Sequence, residues 1–167
     1  HADRLDAATP PADARGPPTL LIARTPASAA PPVESDVDPR DHPYIVGATS
    51  RNVTESLREV LKAAAERKAS GADIAAVESA WRERAQLKTF PALVRETLKK
   101  RGRTSEIASF DAALAANPSI RAQRDAARRL GLVDLVFDWD APRAREGYFR
   151  WGGCTQACVD RAVIFSP

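Results

Sequence analysis

The fold is decided by a stretch in the first half of the chain, residues 52–64, which read NVTESLREVLKAA. Asn52 with Glu55 three residues later has the spacing of a capping box, which satisfies the free amides at a helix start. Apolar side chains then recur at helical spacing, at Val53, Leu57, Val60, Leu61 and Ala64. The pattern predicts a helix that ends near Ser70-Gly71, since glycine commonly follows a helix C-terminus.

The same pattern recurs four times downstream. We predict a second helix from about Asp73, a third capped by Thr89, a fourth capped by Ser105 and a fifth that opens at Asn117-Pro118. The fifth closes at Gly131, and the connections between helices are short. Short connections make successive helices neighbours in space. The sequence therefore predicts a mainly α fold, a bundle of about five short helices.

The period of the apolar residues changes after Gly131. Between residues 133 and 139 apolar side chains alternate with Asp134 and Asp138, which predicts a strand with one buried face. Residues 154–162 have the pattern of one or two helical turns, and residues 163–165 form a short apolar segment that can pair with an earlier strand. We therefore expect a small C-terminal β element.

Proline sets the N-terminal part apart. Nine of the thirteen prolines lie in residues 1–43, and proline removes an amide donor from any helix or central strand. We predict an extended arm over residues 1–49 and a helical domain with short C-terminal strands over residues 50–167. The apolar island Leu20-Leu21-Ile22 is the part of the arm expected to bind a partner.

Composition limits the classes of protein. The 167 residues carry a net charge of +3. Alanine and arginine are frequent, and because both have GC-rich codons, we expect a GC-rich genome. No apolar run approaches the length of a membrane span. Peripheral contact with a membrane stays open. A chain that begins at His1 and has no methionine fits a processed form or a fragment. With its two cysteines, we expect an exported, periplasmic or organellar-lumen protein.

The two cysteines, Cys154 and Cys158, are the sharpest local feature. Four residues of helix separate two Cα atoms by about 6 Å, which is within disulfide range. The pair therefore predicts a disulfide clip across a short turn. Two reduced thiols, or a reactive pair with Cys154 at a helix N-terminus, are the alternatives.

A cysteine nucleophile needs a base, and His42 is the candidate, with Asp41 or Asp38 to orient it. Such a base would lie at the root of a flexible arm, which is a poor place for preorganised chemistry. Cys154 and His42 are therefore weak catalytic candidates, and we assign no catalytic residue.

The sequence contains no motif for binding a metal, a nucleotide cofactor or nucleic acid. Two cysteines and one histidine fall short of a zinc site, and the acidic residues Asp134, Asp138 and Asp140 are expected on the solvated face of the strand. The sequence has no phosphate-binding glycine loop, and its basic residues are explained by helix ends and outward helix faces. We expect no metal, no cofactor and no nucleic acid.

The segment before the cysteines is rich in aromatic and arginine side chains, the types enriched at binding hot spots. Its candidates for partner binding are Tyr148, Phe149, Arg150 and Trp151. These features favour a non-enzymatic accessory or structural subunit that binds other protein subunits through its arm and this segment. The alternative is a secreted bacterial effector or toxin-like protein, with a possible Cys154-dependent hydrolase or deamidase activity.

Overall fold

The computed structural model describes residues 32–33, 38–152 and 155–164, and most of them are helical. The α-helices are α1 (Leu57–Glu66), α2 (Gly71–Ala85), α3 (Phe90–Lys100), α4 (Ile107–Ala116), α5 (Ile120–Arg129) and α6 (Thr155–Ile164), and 3-10 helices cover Pro39–Tyr44 and Thr104–Glu106. The prediction of a mainly helical chain with small β elements is confirmed.

Short polar side chains begin several of the helices. Ser56 and Glu59 form a capping box at the start of α1, and Ser70 does the same with Asp73 for α2. At α3 the Thr89 hydroxyl accepts from an amide of the first turn, as the sequence predicted. Each of these contacts satisfies an amide that the helix itself leaves without a partner.

Three predicted caps are wrong by a few residues. Asn52 does not cap α1, because the next serine, Ser56, takes that role. Ser105 lies inside the 3-10 helix that precedes α4, and Ser119 rather than Asn117 caps α5. The Leu57 amide explains the first shift, since it donates to the carbonyl of Ala141 at 2.8 Å and so fixes where the helix begins.

Two apolar clusters form the core of residues 31–152, which make one compact unit. The larger cluster joins α3, α4 and α5 to aromatic side chains of the C-terminal segment; its buried members are Ile45, Phe90, Val94, Leu98, Phe110, Ala126, Ala127, Leu132, Trp139 and Phe149. The smaller joins α1 and α2; its buried members are Ala48, Leu57, Trp81, Ala85 and Ala141. Each cluster also contains residues that precede α1 and residues that follow α5: Ile45, Trp139 and Phe149 in the larger cluster, and Ala48 and Ala141 in the smaller.

Within the described residues, four two-residue strands and two isolated bridges pair stretches of chain that are distant in sequence. β1 (Pro32–Val33) pairs antiparallel with β4 (Phe149–Arg150), and β2 (Val46–Gly47) pairs antiparallel with β3 (Lys88–Thr89). Bridges add Ile45 to Trp151 and Ala48 to Asp138. The chain that enters the helical part therefore runs beside the chain that leaves it, and we call these paired stretches, residues 45–48 and 138–151, the seam.

The strand predicted between residues 133 and 139 is not formed. Only Asp138 takes part in a bridge, and residues 132–137 have no assigned secondary structure. The predicted partner for this strand is also absent, since residues 163 and 164 belong to α6 and residue 165 lies outside the described residues. The C-terminal β element that does form is β4.

Helix α6 belongs to a second compact unit, and is described by itself. It extends the one or two helical turns expected at residues 154–162 to ten residues. No helix in the described ranges is both long and apolar enough to cross a membrane. Of the predicted arm, residues 38–48 contribute the first 3-10 helix, β2 and the buried Ile45; residues 1–31 and 34–37 lie outside the description, and the arm stays a prediction.

Candidate functional site

Arg143 organises the turn that follows the seam bridge at Asp138. Its guanidinium donates to the Asp140 carboxylate at 2.7 Å and to the Gly147 carbonyl at 2.8 Å, and its Cζ lies 3.6 Å from the centre of the Phe149 ring. A planar guanidinium can make these contacts together, since its donors and its π-face point in different directions. Arg143 thereby connects Asp140, Gly147 and Phe149 within one turn.

Asp138 begins this turn. Its Oδ1 accepts from the amides of Asp140 at 2.8 Å and Ala141 at 3.1 Å. A short acidic side chain that binds amides two and three residues on is a common way to fix a turn. The predicted role of Asp138 on the solvated face of a strand is therefore replaced by a role in a turn.

A cleft of about 400 Å³ opens between this turn and the start of α1. Its lining includes the guanidinium-bearing Arg58 and Arg143 and four acidic residues, Glu55, Glu59, Asp138 and Asp140. The Ser56 amide and hydroxyl donate to Glu59 and hold the pKa of that carboxyl below its usual value. The cleft is therefore polar and carries more acidic than basic groups.

Arg150 lies in β4 and connects the turn to α2. It donates to Glu78 at 2.8 Å and to the carbonyl of Pro142 at 3.4 Å. The side chain is only 14% exposed, so the ion pair is largely shielded from water. Of the predicted partner-binding residues, Arg150 is thus engaged within the chain itself.

The other three candidates of that segment are placed differently. Phe149 and Trp151 are buried, at 5% and 6% exposed, and Tyr148 is half-buried. The rings of Trp151 and Tyr44 lie 5.2 Å apart. The structure brings Phe149 into the core, and a role of this segment in binding partners stays a prediction.

His42 is buried on the first 3-10 helix. Its Nδ1 accepts from the amide of Ile120 at 3.0 Å. Cys158 on α6 forms no disulfide within the described residues, while Cys154 and the apolar island of Leu20, Leu21 and Ile22 lie outside them. The disulfide between Cys154 and Cys158 and partner binding by the island stay predictions.

Carboxylates of the described ranges do not gather into a metal site: no group of three or more histidine, cysteine, aspartate or glutamate side chains there could hold an ion. Asp134 is bound by Arg101 at 2.6 Å, and this hydrogen bond lowers the pKa of the Asp134 carboxyl. Asp134 therefore belongs to an ion pair and not to a shared site with Asp138 and Asp140.

The comparisons with known proteins decide the family. The profile of the isocitrate lyase family matches residues 1–167, the whole chain. The chain belongs to the isocitrate lyase family.

Within the aligned region, relatives in this family are about one third identical to the chain. The chain is 37% identical to the isocitrate lyase of Oryza sativa subsp. japonica over 175 residues, which cover 100% of this chain and 31% of that protein. It is 34% identical to the isocitrate lyase of Saccharomyces cerevisiae and 34% identical to a mitochondrial 2-methylisocitrate lyase of Hypocrea atroviridis, with 100% of this chain covered and 31% and 30% of those proteins. The chain thus spans about a third of the length of these relatives.

Membership of the isocitrate lyase family corrects two predictions. The non-enzymatic accessory subunit is wrong, because the whole chain matches a family of enzymes. The alternative, a secreted effector with Cys154-dependent hydrolase or deamidase activity, is wrong for the same reason. Composition misled both, since a proline-rich arm and an arginine-rich surface are compatible with many classes of protein.

Sequence reasoning also missed the organising role of Arg143 in this member of the lyase family. A signal for this role is present in the sequence. Asp138 is a residue type that forms turns, and Asp140 and Arg143 follow it three positions apart, a spacing at which the two side chains can pair. The alternation of apolar residues before it obscured that signal and favoured a strand.

Proposed function

We propose that this chain is part of a lyase that cleaves isocitrate or 2-methylisocitrate. One observation carries the proposal: the match to the isocitrate lyase family extends over residues 1–167 and is not confined to a single motif. Relatives with both names support it, at 37% identity for an isocitrate lyase and 34% for a 2-methylisocitrate lyase.

The two substrates call for the same chemistry. A base takes the proton of the substrate hydroxyl, the bond between the carbinol carbon and its neighbour breaks, and the electron pair left on the neighbour is then protonated. Both substrates give succinate. The second product is glyoxylate from isocitrate and pyruvate from 2-methylisocitrate, so the 2-oxo acid that is released reports the substrate.

The cleft beside Arg143 does not suit such a substrate by itself. Each substrate carries three carboxylates, whereas the cleft offers two guanidinium groups against four acidic side chains. Arg143 is moreover already bound to Asp140 and to the Gly147 carbonyl. We therefore propose the reaction for the complete polypeptide, with the described residues as a scaffold beside the reacting groups.

The finer architecture is part of the same proposal. The isocitrate lyase family is a family of TIM barrels, which are built from parallel strands. The paired strands of the described residues are two residues long and antiparallel, which supports a helical bundle that lies outside the barrel. We propose that α1 to α5 form this bundle and that the part of residues 1–49 that precedes the first 3-10 helix reaches it as an extended arm.

Partners and compartment are also proposals. We propose that the lyase assembles with other protein subunits, without nucleic acid, and leave peripheral membrane contact as a prediction. An organellar compartment is supported by relatives that are named mitochondrial, from Hypocrea atroviridis, Saccharomyces cerevisiae and Schizosaccharomyces pombe.

The experiment is a product analysis on the complete polypeptide. The purified protein is incubated separately with isocitrate and with 2-methylisocitrate, and 2-oxo acids are identified by mass spectrometry. We expect glyoxylate in the first reaction or pyruvate in the second. Heat-unfolded protein serves as the control, and a folded protein that releases succinate from neither substrate would refute the proposal.

A further inference from the structure

The turn between α1 and α2 carries an exposed serine that follows two basic residues. Residues 67–70 read RKAS, and every residue from 65 to 73 except Ala69 is exposed. Ser70 has an extended backbone, at φ −66° and ψ 163°. Gly71 follows it, and a Cβ atom at that position would meet nothing within 4 Å. Another protein can therefore reach both the serine hydroxyl and the basic side chains before it.

The two basic side chains of this turn are not neutralised by acidic groups. Arg67 donates through Nε to the Ala63 carbonyl at 3.2 Å. In the part of the chain that the structure describes, neither Arg67 nor Lys68 forms a salt bridge. The neighbouring Glu66 lies 3.9 Å from Lys62 instead. Both charges can therefore bind acidic side chains of another protein.

A second exposed hydroxyl, that of Thr104, also has an arginine three residues before it, but its surroundings differ. Arg101 is bound to Asp134 at 2.6 Å, and Arg103, directly before the threonine, is bound to Glu106 at 2.6 Å. The charges beside Thr104 are thus neutralised within the chain. The comparison favours the serine of the α1–α2 turn as the hydroxyl that another protein can select by charge.

The Ser70 hydroxyl also caps α2, and a modification would change that cap. Its Oγ accepts from the Asp73 amide at 3.2 Å and donates to Oδ2 of Asp73 at 2.7 Å, and the donated bond holds the pKa of the Asp73 carboxyl below its usual value. A phosphoryl group in place of the hydroxyl proton removes this donor and brings about two negative charges beside the carboxylate. Phosphate oxygens can still accept from amides of the first turn, where the helix dipole favours an anion.

We propose that Ser70 is a phosphorylation site for a protein kinase that selects basic residues two and three positions before the serine, and that the phosphate replaces the capping box of α2. Charge patterns of this kind contribute to the choice of substrate by kinases. The proposal concerns a modification of the α1–α2 turn and does not depend on the lyase reaction.

The transfer needs only a nucleoside triphosphate as the second substrate. The Ser70 oxygen forms a bond to the terminal phosphorus, and the bond between that phosphorus and the bridging oxygen breaks. The nucleoside diphosphate leaves with the electron pair of the broken bond, and the hydroxyl proton passes to a base of the kinase.

The test uses the complete polypeptide, magnesium ATP and a purified serine kinase that selects basic residues at these two positions. Mass spectrometry of proteolytic peptides locates the phosphate, and we expect it on the peptide that contains Ser70. Ser79 of α2 and Ser109 of α4 are exposed but have no basic residue two or three positions before them. We expect no phosphate on either.

Matched variants separate recognition by charge from exposure alone. Arg67→Gln removes one of the two charges and keeps the hydroxyl, so the rate of phosphorylation should fall about tenfold. Arg84→Gln removes an exposed arginine of α2 and should leave the rate unchanged. Both positions are exposed, so both variants should fold. In the phosphorylated protein, an NMR titration should show that the pKa of the Asp73 carboxyl has returned towards its usual value.

Three results would each overturn the assignment of Ser70: no phosphate there while the kinase modifies a free peptide of residues 64–73, equal modification of Ser70 and Ser109, or equal rates for the two variants. The first result would mean that the capping box keeps the hydroxyl from the kinase. An Asp73 carboxyl that titrates unchanged after phosphorylation would contradict the replacement of the cap.

Discussion

The backbone amide of Ile120 donates a hydrogen bond to Nδ1 of His42 at 3.0 Å, which joins the first 3-10 helix to the start of α5. Ile120 is the first residue of α5, so its amide is one of those that the helix cannot satisfy from within. A buried imidazole thus completes a helix start that Ser119 caps only in part.

Replacing His42 with alanine should therefore lower the free energy of unfolding by about 2–3 kcal/mol, since the variant opens a cavity and leaves a buried amide without an acceptor. His42→Asn keeps an acceptor near the position of Nδ1 and should lose less. Urea denaturation measures both. Equal losses for the two variants would show that the hydrogen bond is unimportant.

The ion pair between Arg150 and Glu78 should stabilise the fold more than an exposed pair does. The side chains are 14% and 30% exposed, and a double-mutant cycle of Arg150→Met with Glu78→Gln should give a coupling of about 1 kcal/mol. Lys62 and Glu66, at 76% and 66% exposed, provide the matched cycle. We expect a coupling of at most a few tenths of a kcal/mol there, and the same value for both pairs would contradict the prediction.

Stability should fall in acid partly through Glu96. Hydrogen bonds from Lys100 and Lys88 lower the pKa of this carboxyl from 4.5 to about 2. The folded state thus binds the proton more weakly than the unfolded state, so the contribution is complete above pH 4.5 and is lost as the pH falls towards 2. Glu96→Gln should remove this part of the pH dependence in denaturation curves. Glu83→Gln on α2 should leave it in place, and a curve that Glu96→Gln does not alter would refute the assignment.

Gly47 should tolerate no side chain, because the backbone of Asp138 on the opposite side of the seam lies directly against it. A Cβ atom there would lie 2.6 Å from the carbonyl oxygen of Asp138, which is closer than atoms approach without displacement of the backbone. Gly47→Ala should therefore destabilise the protein by about 2 kcal/mol or more. Gly71→Ala, where the new atom meets nothing within 4 Å, should change stability little. Thermal unfolding compares them, and a Gly47→Ala protein as stable as the Gly71→Ala protein would exclude a tight seam.

The helices could be predicted because their signals are local. Ile74, Val77 and Trp81 lie at helical spacing, and Thr89 is followed by proline at a helix start. The first cap could not be placed, since Asn52 with Glu55 and Ser56 with Glu59 have the same spacing. The choice is made by a distant group, the Ala141 carbonyl that binds the Leu57 amide.

The candidate site was harder to predict, for the same physical reason. Arg150 contacts Glu78, and His42 contacts Ile120, across 72 and 78 residues of sequence. Contacts between residues so far apart cannot be predicted from local spacing. The predicted strand after Gly131 had the right composition. Composition does not supply a pairing partner, however, and without one the segment stays unpaired. The family match extends over residues 1–167, and we did not recognise it from any single motif.

The seam also has a consequence for the order in which the protein folds. Ala48 meets Asp138 and Ile45 meets Trp151, and the residues of each pair are separated by more than half of the chain. Such long loops close at a considerable entropic cost, whereas each helix forms from neighbouring residues. The helices between the two stretches should therefore form first and bring the distant ends together. Closure of the seam should be among the last events of folding.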